Sequence, residues 1–337
     1  MNLNEILLRS NFDITRRSRF NTIFLSQTVI GSKLNLFYEP RDISRNQLEP
    51  SLRIKLRLVD HPIKADYILV PHDWIEIYRN KKYLKYLGEI SKLAPLIILN
   101  GGDVSPTCKM TNTIQLRTHL HSGEKYQNKI IIPYPIKSKE LTIKNWKPVP
   151  TISFIGYIPK FGLGTLTGYN KFFIKHPIQT SYFLNRSISF KKLKNLSKEF
   201  EIIAKSRSSF TLRAKNLKQD LHLQEYNQSL QTSDYVLCPR GFANTSMRFY
   251  ESLSAGITPI LIDSGGELPM ISNTALLEKN ILRVNLFGDW ARAILRDWQY
   301  LEKNSNYEKR QINNFNLFKN ELNLTTYLEN LFSEYLC

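Results

Sequence analysis

Short, wholly apolar runs separated by longer helical patterns constrain this chain more than any other feature. In the first half, Tyr67 to Val70 reads as a strand and Leu96 to Leu99 as the next. Between them Trp74 to Leu93 reads as a helix, with Ile75, Tyr78, Tyr83, Leu84 and Leu87 partly in register. Ile130 to Ile132 and Ile152 to Ile155 are further strand candidates. A strand that is apolar on both faces needs cover on both faces, which a parallel sheet with crossover helices supplies; the class is therefore α/β. The second half repeats the logic. After a mixed basic region reaching to about Arg207, strands are predicted at Phe210 to Leu212, Tyr235 to Leu237, Pro259 to Ile262 and Ile281 to Val284. Helices are predicted at Leu221 to Gln231, Met247 to Ala255, Trp290 to about Glu302 and Leu322 to Leu336.

A chain of 337 residues is long for one compact unit and suits two domains. The polar, basic stretch from Lys137 to Pro150 has little apolar periodicity and is the best linker. The expected division is residues 1–147, residues 148–310, and a C-terminal helix in 311–337 packing back on the first domain. With 42% hydrophobic and 23% charged residues, a disordered protein is excluded. The 47 Lys and Arg against 29 Asp and Glu give +18, which reflects either an anionic partner or a chain rich in Lys, Asn and Ile throughout. The basic residues are spread along the chain, as in Lys81-Lys82, Lys191-Lys192 and Arg213 to Lys218, so nucleic acid is not the expected one. Cys108, Cys238 and Cys337 have no metal or disulfide spacing, and a reducing compartment fits. Met1 to Phe20 lacks the apolar core of a secretion signal, and no run approaches 18 apolar residues. A cytoplasmic protein, at most resting on an acidic membrane, is the expectation.

Two apolar runs end alike. Leu96 to Leu99 enters Asn100-Gly101-Gly102-Asp103, and Ile260 to Ile262 enters Asp263-Ser264-Gly265-Gly266-Glu267. In open α/β sheets such loops form the binding crevice, although each could be an ordinary tight turn. The most informative stretch runs from Asp234 to Ile262 as strand, loop, helix, turn and strand. Asn244, Thr245 and Ser246 offer capping oxygens at the helix start, and Gly256 with Pro259 marks its end. A helix amino terminus presents N–H groups and a positive dipole end to a phosphate, and Arg240 or Arg248 would add charge. Arg248 and Glu251, three apart on one face, form either an ion pair or a phosphate-binding Arg beside a ribose-binding carboxylate.

This segment resembles the signature of the exostosin-like glycosyltransferases: Leu-Cys-Pro-Arg-Gly, a short polar loop, Ser-x-Arg-Phe-Tyr-Glu-Ala-Leu, then Ala-Gly-x-x-Pro-Val-Leu. Leu237 to Gly241, Ser246, Arg248 to Glu251, Leu253, Ala255, Gly256 and Pro259 match it. Ser252 and Ser254 stand where the family often has Ala. Weaker echoes are Ala65 to Pro71, Ser153 to Gly156, and Phe210 to Arg213.

The resemblance implies the GT-B architecture, two Rossmann-like domains facing a cleft, with a nucleotide sugar on the second domain and a glycan acceptor on the first. It implies inverting transfer to a glycan hydroxyl, in surface or secreted polysaccharide synthesis. Arg240, Ser246 and Arg248 would neutralise the leaving diphosphate, Arg213 would contribute to donor binding, Glu251 would hold the ribose or sugar, and Gly156 and Gly241 would admit close backbone approach. No Asp-x-Asp occurs in the chain, so arginine charge would replace the metal clamp; no cofactor or metal is expected, and the donor is expected to be UDP-linked. The base that deprotonates the acceptor is expected at Asp73 first and Asp103 second, although Asp73 equally suits a helix cap. His119 and His121 lack a third ligand for a metal. The alternatives are a non-catalytic glycan- or nucleotide-binding module of the same fold, or a basic nucleic-acid binder.

Overall fold

A computed structural model describes residues 22–25, 57–58, 63, 65–74, 78, 81–100, 108–120, 128–136, 138–158, 177–207, 217–241, 244–263 and 265–331. The chain forms two α/β units: residues 1–137, 267–272 and 320–337 make unit 1, and residues 138–266 and 273–319 make unit 2.

The strands of unit 1 are β1 (Thr22–Leu25), β2 (Arg57–Leu58), β3 (Tyr67–Asp73), β4 (Leu96–Leu99), β5 (Thr113–Arg117) and β6 (Lys129–Ile131). They form one parallel sheet in the order β2-β1-β3-β4-β5-β6. Helix α1 (Lys81–Ile90) buries Tyr83, Leu87 and Ile90, at helical spacing, against Ile68, Val70, Leu96 and Ile98. Ile97, Leu99, Ile114 and Leu116 point to the other face, where a late segment of the chain closes the layer with Tyr327, Leu328 and Leu331.

Unit 2 follows the same plan. Its strands are β7 (Thr151–Tyr157), β8 (Glu201–Arg207), β9 (Tyr235–Cys238), β10 (Thr258–Asp263) and β11 (Leu282–Asn285), all parallel, in the order β11-β10-β9-β7-β8. Its helices are α2 (Pro177–Asn195), α3 (Leu217–Thr232), α4 (Met247–Ser254), α5 (Thr274–Asn280), α6 (Trp290–Lys303) and α7 (Tyr307–Leu317); α8 (Leu324–Asn330) belongs to unit 1. Phe154, Leu193, Leu237, Ile260, Trp290, Ile294 and Trp298 form the unit 2 core. Gly256 ends α4 at φ 75°, a left-handed conformation that suits glycine.

In this order the chain turns back between β7 and β9. The crevice beyond the carboxyl ends of strands at such a switch point is where open α/β sheets bind ligands.

Several elements differ from the sequence reading. The mixed basic region before Arg207 contains the 19-residue helix α2 and the strand β8. The inner face of α2 carries Arg186, Ser189, Phe190 and Leu193, so two of the four positions described as buried are polar and the apolar period is hidden. Strand β5 was hidden in the same way: all five residues are buried, yet Thr113, Gln115 and Arg117 are polar. Of the expected helix 74–93, Trp74 and α1 at Lys81–Ile90 are described as helical, residues 91–93 form a turn, and the strand before it runs on through Pro71 to Asp73. The expected helix from Leu322 to Leu336 is described as α8 alone, preceded by a π turn over Phe318–Leu322. The expected strand Phe210 to Leu212 lies outside the described residues.

Residues 138–150 carry no helix or strand and are tied to unit 2. Lys144 N–H donates to Gln311 Oε1 and its carbonyl accepts from Gln311 Nε2, both at 2.9 Å. Cys108 and Cys238 are both free and buried. No helix among the described residues is long and apolar enough to cross a membrane.

Candidate functional site

Strand β7 ends at the switch point with Ile155, Gly156 and Tyr157. A Cβ on Gly156 would overlap Arg248 Nη2, and would lie 3.0 Å from Arg248 Cζ and 3.2 Å from Arg186 Nη2. Two guanidinium groups therefore converge on the one strand position that has no side chain. Arg248 comes from the first turn of α4, whose helical start is set by Ser246 at the N-cap, in the extended conformation. Its Nη2 donates to the Ile155 carbonyl at 2.8 Å, and its guanidinium lies 4.7 Å from the Phe154 ring centroid and 5.9 Å from that of Tyr226. Its Nε is buried with no hydrogen-bond partner among the described residues.

Arg186 is the residue that sequence reasoning missed. It is only 4% exposed, on the inner face of α2. Nε donates to the Tyr157 carbonyl at 2.7 Å and Nη1 to the Arg240 carbonyl at 3.2 Å. The fork thus joins the end of β7 to the loop after β9, which is geometry that a lysine cannot reproduce. Burial, and then the neighbouring Arg248 charge, push the Arg186 guanidinium well below the ordinary arginine range. Arg207, at the end of β8, is also pushed down by burial, with Glu225 opposing and Arg248 adding to the shift. An anion placed beside these guanidinium groups would favour their charged forms. The only signal that could have found Arg186 is its place in a helical row with Ser189, Phe190 and Leu193.

The remaining motif residues surround this pair. Arg240 is buried in the loop that Arg186 holds. The Gly241 N–H donates to the Thr245 carbonyl at 3.1 Å, closing that loop on itself. Ser246 does not cap α4 with its side chain as expected: its carbonyl accepts from Phe249 N–H at 3.1 Å, while the buried Oγ has no partner among the described residues. Among the described residues the hydroxyl is thus an unspent buried polar group. Asn244 Nδ2 donates to the Gly265 carbonyl at 3.4 Å, so the second Gly-Gly turn packs beside the same loop.

Arg248 and Glu251 share a face of α4 but form no ion pair among the described residues. Arg248 is spent on the Ile155 carbonyl, and Glu251 Oε2 accepts a hydrogen bond from the Tyr226 hydroxyl. The simple i,i+3 pair is thus not what holds them.

The expected base positions are only partly described. The backbone of Asp73 ends β3, next to a register irregularity between Val70 and Asp73. In unit 1 the chain likewise turns back between β1 and β3, so this is that sheet's own switch point. Asp103, Gly101, Gly102 and His121 lie outside the described residues, as does Arg213. His119 follows β5 and is fully buried, with Nδ1 3.3 Å from Thr118 Oγ1. Among the described residues there is no group of three His, Cys, Asp or Glu that could hold a metal ion.

Residues 183–332 match the family model described as the RXYLT1 C-terminal domain, which lies in the exostosin-like family. That segment of the chain is similar to the exostosin-like glycosyltransferases. Arg186, Tyr226, Arg240, Ser246, Arg248 and Glu251 all fall inside the exostosin-like segment, and Gly156 lies before it. No curated protein sequence matches the chain. Among solved structures, the chain is similar to Anabaena Alr3699/HepE in complex with UDP and glucose, at 10% identity and TM-score 0.35, covering 94% of this chain and 99% of that one. It is also similar to an alpha1,3-fucosyltransferase, at 11% identity and TM-score 0.34, covering 92% of this chain and 86% of that one. At these TM-scores the two likenesses carry no argument about chemistry.

Proposed function

We propose that this protein transfers a sugar, with inversion, from a nucleoside diphosphate donor to a glycan hydroxyl, and that unit 2 holds the donor. One observation carries the reading. Arg248 and Arg186 are brought together over Gly156 at the switch point of a parallel sheet, where a side chain would displace them. A diphosphate is the ligand that such a pair suits: its charge is opposite to that of the arginines, and it gains more negative charge as the bond to the sugar breaks.

In this mechanism the acceptor oxygen attacks the anomeric carbon, its proton passes to a carboxylate, and the bond from that carbon to the diphosphate oxygen breaks. Arg248 and Arg186 stabilise the departing diphosphate, Arg240 and Ser246 line the same loop, and Glu251 receives a hydroxyl of the nucleoside or sugar. Asp73 is the first candidate for the base and Asp103 the second. The arginines take the place of a metal, so the reaction needs none. The expected donor is UDP-linked and the acceptor an oligosaccharide or polysaccharide of the cell surface. The enzyme works in the cytoplasm, with its net charge of +18 favouring peripheral contact with an acidic membrane.

The test is calorimetric titration of the full chain with uridine and guanosine diphosphates. One of them should bind below millimolar concentration, and Arg248→Ala should weaken it at least tenfold. Absence of binding at millimolar nucleotide would end the reading.

A further inference from the structure

Tyr226 is on α3, outside every motif considered above, three and four residues before the buried Ser229 and Leu230 and so on the same inner face. Its hydroxyl donates to Glu251 Oε2, and its ring lies 5.9 Å from the Arg248 guanidinium. It therefore contacts both members of the Arg248 and Glu251 pair. Burial and the nearby Glu251 carboxylate push the Tyr226 phenol well above its ordinary range, so it keeps its proton and acts as the donor. Glu251 is half-buried, and its second oxygen, Oε1, has no hydrogen-bond partner among the described residues. A carboxylate accepts at both oxygens. Here one oxygen is used to fix the group and the other is left over, one helical turn from the arginine of the anion site.

We infer that Tyr226 is a positioning residue: it holds the Glu251 carboxylate so that Oε1 accepts a ribose hydroxyl of a nucleoside diphosphate whose phosphates lie on Arg248. The inference rests on the donor-binding reading above, and it adds to that site a residue on α3 that positions the Glu251 carboxylate for the ribose. Without the phenol, Glu251 loses the contact that fixes its rotamer, and its partly buried carboxylate is drawn toward the Arg248 guanidinium on its own face. The phosphate contacts are unaffected in kind, whereas ribose recognition is lost.

Three probes separate the possibilities: uridine 5′-diphosphate, 2′-deoxyuridine 5′-diphosphate and inorganic pyrophosphate, each titrated calorimetrically into the full chain and into Tyr226→Phe and Glu251→Gln. The wild type should bind the ribonucleotide about tenfold tighter than the deoxynucleotide, the size of one hydrogen bond to a charged group. In Tyr226→Phe the ribonucleotide should weaken by about tenfold and the ribo-to-deoxy ratio should fall below about twofold, with pyrophosphate within about twofold of wild type. Glu251→Gln should lose the same discrimination, which guards against a folding defect in either variant alone. A Tyr226→Phe protein that keeps the ribo-to-deoxy ratio overturns the inference, as does one that loses pyrophosphate in parallel. Wild-type protein that binds pyrophosphate without distinguishing the two nucleotides also overturns it, while leaving the diphosphate reading intact. Failure to bind any of the three removes both.

Discussion

Replacing Gly156 with alanine probes the anion site through its geometry while leaving every charge in place. The new methyl would overlap Arg248 Nη2 and lie 3.0 Å from its Cζ. The obstacle is the end of a flexible side chain, so the strand stays and the arginine moves. Moving it breaks the 2.8 Å bond to the Ile155 carbonyl and pulls the guanidinium off the Phe154 ring, 4.7 Å away. A hydrogen bond from a charged donor contributes about 1.5 kcal/mol at the low end, and a cation–π contact adds about 0.5 kcal/mol. The sum, about 2 kcal/mol of lost positioning, corresponds to roughly a 30-fold fall in kcat/KM for sugar transfer. Arg248→Ala should cost about 2–4 kcal/mol, the scale of removing one donor to a developing oxyanion. The decisive assay is the double-mutant cycle: in the Arg248→Ala background, Gly156→Ala should cost less than about 0.5 kcal/mol, because the methyl then fills space that the arginine has vacated. Gly156→Ala within threefold of wild type, or equally harmful in both backgrounds, would refute the reasoning.

Arg186→Lys keeps the charge but cannot span the Tyr157 and Arg240 carbonyls; thermal unfolding should show a loss of about 1–3 kcal/mol, partly recovered by saturating nucleoside diphosphate. Asp234→Ala should be among the most damaging changes in unit 2, about 3 kcal/mol by denaturant titration, because the buried carboxylate accepts from Thr151 N–H at 2.7 Å and from the Tyr307 hydroxyl. Burial lowers the Lys144 ammonium to about 8 despite the opposing pull of Asp234, so the unfolded chain holds that proton more tightly than the native one. The stability difference between wild type and Lys144→Met should therefore shift in favour of the wild type as pH rises from about 8 toward the ordinary lysine range near 10.4, and a flat difference would refute the assignment. Turnover should stay within twofold in excess chelator, and a tenfold loss restored by a divalent cation would overturn metal independence.

Much of this protein is written in its apolar runs. Leu96 to Leu99 and Tyr235 to Cys238 are strands because an uninterrupted buried run leaves few other choices, and the order of such runs and helices implies a parallel sheet. The loop and helix from Cys238 to Ser254 were equally legible, since a strand end, a polar loop and an amphipathic helix are local features. Elements whose buried faces are polar were not legible. In α7, Tyr307, Arg310 and Gln311 face inward because distant groups satisfy them: Asp234 for Tyr307, Asp297 for Arg310 at 3.0 and 3.1 Å, and the Lys144 backbone for Gln311. No local window contains those partners, and an unpartnered polar residue would read as exposed.

The same division runs through the candidate site. The sequence by itself determined that Gly156, Arg240, Ser246, Arg248 and Glu251 sit at strand ends and a helix start, because spacing and turn chemistry act over a few residues. Only the tertiary structure decided that Arg186 from α2 meets Arg248 over Gly156, and that Tyr226 from α3 takes one oxygen of Glu251. Those contacts depend on how helices cross a sheet, which is set by the packing of the whole layer rather than by the residues on either side.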